Sequence, residues 1–216
     1  MWPDSTETQE LILQARDERS AAVDQLFERH REAVRRLIRM RLDHGVRRRV
    51  DVSDVLQEVM LEASRRLQDY LQDPPMSFHL WLRQIAMDRI IDAHRRHRAS
   101  AKRSVDREQP IAGVGDPASA LDLVQQLADP QFTPATAAAR REMARQIEQS
   151  ITDLPETDSE ILVMRHYEQL TNQETAQILG LSEPAASMRY LRAVRRLRAL
   201  LEGASPGTLD ELPGGT

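Results

Sequence analysis

The chain has no cysteine, which excludes a disulfide framework and any thiolate metal site. Aromatic residues make up only 4% of its 216 residues. Val and Ile are scattered rather than alternating, so the composition favours helices packed through Leu, Ile, Met and Ala over sheets. No apolar run approaches the roughly 20 residues needed to cross a bilayer, and no membrane insertion is expected. The N-terminus MWPDSTETQE lacks the basic-then-apolar order of a signal peptide, so the expected location is cytoplasmic. Gly-rich phosphate loops, nucleophile elbows and metal-ligand clusters are also missing, so neither an enzyme activity nor a cofactor is expected. Lysine is nearly absent, at one of thirty basic residues. Arginine's planar fork suits phosphates and base edges; codon usage in a GC-rich genome gives the same bias.

A net charge of −4 disfavours nucleic acid at first sight, but the charges are segregated. Residues 29–49 hold nine arginines against Glu32 and Asp43. Arg83, Arg89, Arg95, Arg96, Arg98, Lys102, Arg103 and Arg107 form a second basic group. Acids collect at Asp51 to Glu62 and at Asp153 to Glu168.

The most informative stretch is TNQETAQILGLSEPAASMRYLRAVRRLRALL, from Thr171 to Leu201. Thr171 and Glu174 are spaced as a capping box that opens a helix. Gly180 suits the left-handed residue that ends it. Ser182 can cap a second helix, with Pro184 tolerated in the first turn. Ala176 is small enough for a close helix crossing, and Ala186 is placed as the apolar core contact beyond the turn. This is a helix-turn-helix whose second helix carries Arg189, Arg192, Arg195, Arg196 and Arg198. Such a helix can enter a DNA major groove. A helical hairpin with a solvated basic face gives the same local pattern.

Upstream, helices are expected over Glu7–Arg16, Ser20–Leu42, a span opened by Asp51, Ser53 or Asp54 and running to about Leu71, and Phe78–Arg98. Their apolar stripes include Leu26, Val34, Ile38, Val55, Leu56, Val59, Leu80, Trp81, Ile85, Ile90 and Ile91. Pro74 and Pro75 stop the third helix. Pro110, Gly113, Gly115, Pro117 and Pro130 break regularity after it, with a short helix expected at Ser119–Ala128. Thr133-Pro134 opens a helix to about Thr152 that buries Ala138, Met143, Ile147 and Ile151. Thr157 and Glu160 are spaced as another capping box. The chain thus reads as all-α. Two small helical domains, 1–100 and 133–202, are joined by a linker at 101–132 and followed by a disordered tail at 203–216. The free domains are expected to pack on one another and hide their basic faces.

Three segments in this order carry a family resemblance: DVSDVLQEVMLEASRRL at 51–67, SFHLWLRQIAMDRIIDAHRR at 77–96, and LPETDSEILVMRHYEQLTNQETAQILGLS at 154–182. Together they resemble a bacterial RNA polymerase sigma factor of the extracytoplasmic-function type. The resemblance implies a sigma region 2-like bundle, a sigma region 4-like helix-turn-helix domain, and promoter-specific initiation with core RNA polymerase. Core polymerase contacts then fall on Asp54, Gln57, Glu58 and Glu62, of which the three acids stand four apart on one helix face. The −10 element falls to Gln72, Asp73, Met76, Ser77 and Phe78, around a loop that receives an unstacked base. Arg83, Arg89, Arg95 and Arg96 neutralise phosphates there. Trp81 is either a stacking platform or a core residue. The −35 element falls to Ser187, Met188, Arg189, Leu191 and Arg192, with Arg195 and Arg196 on backbone phosphate. Partners implied are core RNA polymerase, promoter DNA and an anti-sigma factor. The sequence departs from the family pattern in two places. Asp88 stands where many relatives have Asn, and Pro184–Met188 replaces a common Gly-Thr-Val-basic-Ser. His94 and His97 form an i, i+3 pair among basic neighbours, a better fit to a polar helix end than to a metal site. A stand-alone helix-turn-helix regulator is the alternative. It accounts for 154–201 and leaves 51–98 without a role.

Overall fold

The computed structural model describes residues 2–3, 5–16, 20–42, 46, 49–101 and 137–204, with 20, 98–101, 137–141 and 202–204 described by backbone alone. Among them all regular structure is helical. Helices α1 (Ser5–Arg16), α2 (Ser20–Arg41), α3 (Val52–Gln72) and α4 (Phe78–Ala101) form the N-terminal bundle. α5 (Ala137–Thr152), α6 (Glu156–Leu162), α7 (Asn172–Leu179) and α8 (Glu183–Ala204) form the C-terminal domain. The linker helix expected at Ser119–Ala128, the Thr133-Pro134 start, the Ala138 side chain and the tail beyond Ala204 lie outside the described residues. α8 runs through Gly203 and Ala204, so the first two residues assigned to the tail are helical.

The N-terminal bundle folds around the stripes that the periodicity marks out. Leu26, Val34 and Ile38 of α2, Val55, Leu56 and Val59 of α3, and Leu82, Ile85 and Ala86 of α4 are fully or nearly fully buried in one cluster. Asp51 opens α3 by accepting from the Ser53 amide at 2.7 Å, which satisfies a helix-end donor. Aromatic side chains are few but concentrated here. The Phe78 ring lies 5.4 Å from both Tyr70 and Trp81, and Tyr70 lies 4.7 Å from Trp81, centroid to centroid. Trp81 is therefore core. Two expectations on α4 are corrected. Ile91 is 44% exposed, while Ile90 fills the core as its place on the stripe predicts. Leu80 is buried, but against the other domain.

The C-terminal core joins Ile147 and Ile151 of α5, Ile161 and Leu162 of α6, and Ala193 and Leu197 of α8. Met143 packs at its edge, half-buried. The capping box expected at Thr157–Glu160 does not form. α6 starts two residues earlier, after Pro155, with no side-chain cap, which leaves Thr157 inside the helix and Glu160 available for a different role. After Leu162 the helix widens into a π-turn over Val163–Tyr167. The other capping box is complete: Thr171 Oγ1 accepts from the Glu174 amide at 3.2 Å, and the Glu174 carboxylate accepts from the Thr171 amide at 2.7 Å. Gly180 ends α7 at φ +63°, where a side chain would be strained. Asn172 Nδ2 donates to the Glu183 carbonyl at 3.1 Å and ties α7 to the start of α8.

Candidate nucleic-acid interface

α8 exposes most of the side chains that the family resemblance puts in a DNA groove. Met188 is 56% exposed and Leu191 44%, while Ala186, Ala193 and Leu197 on the opposite side are fully buried. The helix is thus anchored by one stripe and open on the other. Arg192 and Arg195 are exposed, Ser187 and Arg189 half-exposed. Arg196 departs from the expectation. It donates to the buried Asp158 carboxylate, which clips α8 to the first turn of α6. Its side chain is nonetheless 51% exposed.

The residues assigned to polymerase lie on α3. Asp54 and Gln57 are exposed, Glu58 and Glu62 half-buried. Two of the acids already have partners. Glu58 receives the Arg96 guanidinium in a two-pronged contact at 2.9 and 3.1 Å, and Glu62 pairs with Arg66 at 2.7 Å. The hydrogen bonds to Glu58 raise the pKa of Arg96 further above its ordinary value. A groove of about 450 Å³ between α3 and α4 is lined by Leu61, Glu62, Arg89 and Arg95 among others. Arg89 reaches Asp92 at 3.6 Å, and Arg95 is exposed.

The turn between α3 and α4 leaves Gln72, Asp73 and Ser77 exposed. Met76 is half-buried, and its carbonyl accepts from Tyr70 Oη at 3.0 Å. Phe78 corrects the reading of this turn: it is 2% exposed and sits in the bundle core, where it shapes the turn from beneath. Arg83 is the second correction. It is 5% exposed, so in this conformation it is not on the surface.

Arg83 is buried because the two domains meet over it. Arg83 Nε donates to Glu168 at 2.5 Å, and its Nη2 to the same carboxylate at 3.2 Å. Arg41, at the end of α2, donates to Glu160 at 2.5 and 2.9 Å and to Glu168 at 2.8 Å through Nε and again through Nη2. The Glu168 side chain is 1% exposed. Burial alone would push its carboxyl pKa up, but Arg41 and Arg83 outweigh burial and hold it below the usual range. Burial likewise opposes the charge on Arg41, and Glu168 and Glu160 overcome it. Beside this cluster His79 Nε2 meets Glu174 at 2.7 Å, and the His79 contact, with the Thr171 hydrogen bonds, draws the Glu174 pKa down to about 2. Leu80, Met164 and Leu170 close an apolar patch across the same seam, with Trp2 and Met76 at its rim.

The π-turn aims Glu168 at the seam. Its amide bonds back five residues to the Val163 carbonyl at 3.0 Å, and Gln169 follows at φ +57°. A left-handed non-glycine residue costs about 1–2 kcal/mol, a strain that persists only where the surroundings enforce it. The domains thus pack on one another as expected, but they hide Arg41 and Arg83 and leave the recognition face of α8 open. Sequence reasoning did not single out Arg41, His79, Glu160 or Glu168 as a group. The available signal was an acidic run ending at Glu168 in a chain with an arginine-rich stretch at 29–49.

Residues 26–100 match the family described as Sigma-70 region 2, and residues 144–197 match Sigma-70, region 4. The chain is 32% identical over 163 residues to the probable RNA polymerase sigma factor RfaY of Xanthomonas campestris pv. campestris, a match covering 71% of this chain and 37% of that longer protein. It is 30% identical over 199 residues to the RNA polymerase sigma factor CnrH of Cupriavidus metallidurans, covering 90% and 94% of the two chains. It is 28% identical over 180 residues to the ECF RNA polymerase sigma factor SigM of Mycobacterium tuberculosis, covering 83% and 77%. The solved structure of CnrH in complex with the cytosolic domain of CnrY superposes with a TM-score of 0.55 at 26% identity, over 92% of this chain and 99% of that one. No described helix is long and apolar enough to cross a membrane. The chain belongs to the extracytoplasmic-function sigma factors of the sigma-70 family, which serve promoter-specific transcription initiation by RNA polymerase.

Proposed function

We propose that this protein binds core RNA polymerase through α3, helps to open the −10 element with its N-terminal domain (1–100), and reads the −35 element with α8 of its C-terminal domain (133–202). The observation that carries the reading is the asymmetry of α8. One stripe is locked into the core, while Met188, Leu191, Arg192 and Arg195 stand open. An arginine fork there can bind guanine O6 and N7, and exposed apolar side chains suit thymine methyl groups. On α3, Asp54 and Gln57 are open, and Glu58 and Glu62 are held only by exposed arginines. Surface pairs of this kind contribute about 0–1 kcal/mol, so a partner can exchange them cheaply. At the α3–α4 turn, Gln72, Asp73, Met76 and Ser77 supply the groups that would receive an unstacked base, with Phe78 beneath them. Arg89, Arg95 and Arg96 supply phosphate contacts. An anti-sigma regulator is part of the proposal, since CnrH was solved with the cytosolic domain of CnrY.

The test is gel filtration of the purified protein with core RNA polymerase near physiological salt. Stoichiometric co-elution is expected, and Asp54→Ala with Glu58→Ala should weaken it while far-UV helicity stays constant. A folded protein that fails to co-elute would favour the stand-alone regulator.

A further inference from the structure

We propose that Arg41 and Arg83 form a concealed phosphate-binding pair for promoter DNA, occupied in the closed protein by the Glu168 carboxylate. The inference rests on the promoter-binding reading above and adds a site to it. Among the described residues, the hydrogen-bond and ion-pair partners of both guanidiniums are carboxylates of the other domain. No described group of the N-terminal bundle holds them, so separating the domains releases both from the carboxylates at once. A carboxylate and a phosphate offer a guanidinium the same pairs of acceptor oxygens, and the two ligands are therefore mutually exclusive on this pair. Arg83 lies five residues into α4 from Phe78, about 8 Å of helix rise from the turn proposed to receive a base.

Separation is also required by length. The −10 and −35 elements are centred about 25 base pairs apart, or about 85 Å at ~3.4 Å per base pair. A compact chain of 216 residues has a radius of gyration of about 17 Å. The packed form cannot reach both elements on straight DNA. Parting the domains returns Glu168 to water and exposes the arginines where the nucleic-acid backbone is to lie. The seam suits reversal. It is rich in ion pairs, its separated charges regain hydration, and among the described residues its fully buried apolar contact is Leu80, Met164 and Leu170, with Met40 packed at the edge of the C-terminal core.

The experiment compares free wild-type protein, Glu168→Gln and Arg41→Gln/Arg83→Gln. It records radius of gyration by small-angle scattering and affinity for a short duplex of arbitrary sequence as a function of salt. Both variants should open and expand. Glu168→Gln alone should bind DNA about tenfold or more tightly, with a log-affinity slope on log salt steeper by about two, because each duplex phosphate neutralised contributes about 0.9. An expanded Glu168→Gln protein with an unchanged slope would show that the arginines serve only the seam, and would overturn the proposal. So would a Glu168→Gln protein that stays compact. A second arm does not depend on how Glu168→Gln folds. Polymerase holoenzyme carrying Arg41→Gln/Arg83→Gln should assemble normally yet bind promoter DNA with a slope shallower by about two. An unchanged slope there overturns the proposal even if polymerase binding is intact, whereas loss of wild-type co-elution bears on the sigma-factor reading instead. Altered polymerase affinity with an unchanged DNA slope would assign the pair to an acidic protein surface.

Discussion

Arginines on α4 and α8 stand in opposite situations. On α4, Arg83 is buried against Glu168, Arg89 reaches Asp92 and Arg96 holds Glu58. On α8, Arg189, Arg192 and Arg195 meet no carboxylate among the described residues. If α8 reads the −35 element as proposed, its exposed face is already assembled in the closed protein, with little ordering left to do on binding. The arginines of α4, proposed for the −10 element, are charge-compensated and on that proposal must be released first. The contrast extends to the interiors. Both tryptophans, Trp2 and Trp81, and two of the three phenylalanines, Phe27 and Phe78, precede the linker. The C-terminal core is built from aliphatic side chains with Tyr167 and Tyr190. One domain is an aromatic scaffold beneath a turn, and the other is a small aliphatic platform beneath a helix.

The sharpest way to break this comparison is at Phe78. If it is scaffold, Phe78→Ala should destabilise the N-terminal bundle by about 3–5 kcal/mol, the usual result of emptying a buried aromatic site. Tryptophan fluorescence during urea unfolding isolates that domain, since both tryptophans lie in it. Phe78→Leu should recover most of the stability and leave promoter opening intact. A stable Phe78→Leu protein that cannot open a promoter would return Phe78 to the base-contacting group. A smaller effect tests the other side. Arg192→Ala should weaken −35-dependent binding by about 1–3 kcal/mol and relax preference at one base, with no change in thermal stability, because Arg192 is exposed and unpaired. Unchanged preference would move base reading to Met188 and Leu191 alone.

The helices and the helix-turn-helix were legible because local chemistry specifies them. Asp51, Thr171, Glu174 and Gly180 act within a few residues of themselves, and the 3.6-residue stripes on α2 and α3 need only one buried side. Thr157–Glu160 had the same spacing as a capping box and did not form one. Pro155 ends the preceding turn with its own fixed φ and starts α6 early, while Glu160 is drawn to Arg41 across 119 residues of sequence. Arg83 and Phe78 were misplaced for a related reason. A basic residue on a helix looks solvent-facing until a carboxylate from another domain covers it, and a phenylalanine after a Pro-Pro turn looks exposed until Tyr70 and Trp81 close over it. The seam is made of long-range pairs, on which periodicity carries no information.

The last prediction separates the two domains by pH, with a modest effect over any single pH unit. His30 is buried between Thr8, Phe78 and Trp2, and its Nδ1 has no hydrogen-bond partner among the described residues. Burial, with His79 and Arg29 nearby, lowers its pKa from 6.5 to about 3. Between those values the unfolded chain binds a proton at this position and the folded bundle does not. Stability is therefore complete above about pH 6.5 and falls as pH drops toward 3, by at most about 1.4 kcal/mol per pH unit. Urea midpoints read by tryptophan fluorescence should fall between pH 6 and 5, and His30→Gln should flatten that slope. His166, the one histidine of the C-terminal domain, sits against Tyr190 at 2.9 Å, where the phenol can satisfy a ring nitrogen. The N-terminal slope therefore tracks an unpartnered nitrogen in an aromatic core, the feature that the aliphatic platform lacks. If His30→Gln leaves the slope in place, the buried imidazole is not its source, because the lowered Glu168 and Glu174 carboxylates lose their contribution only below about pH 4.5.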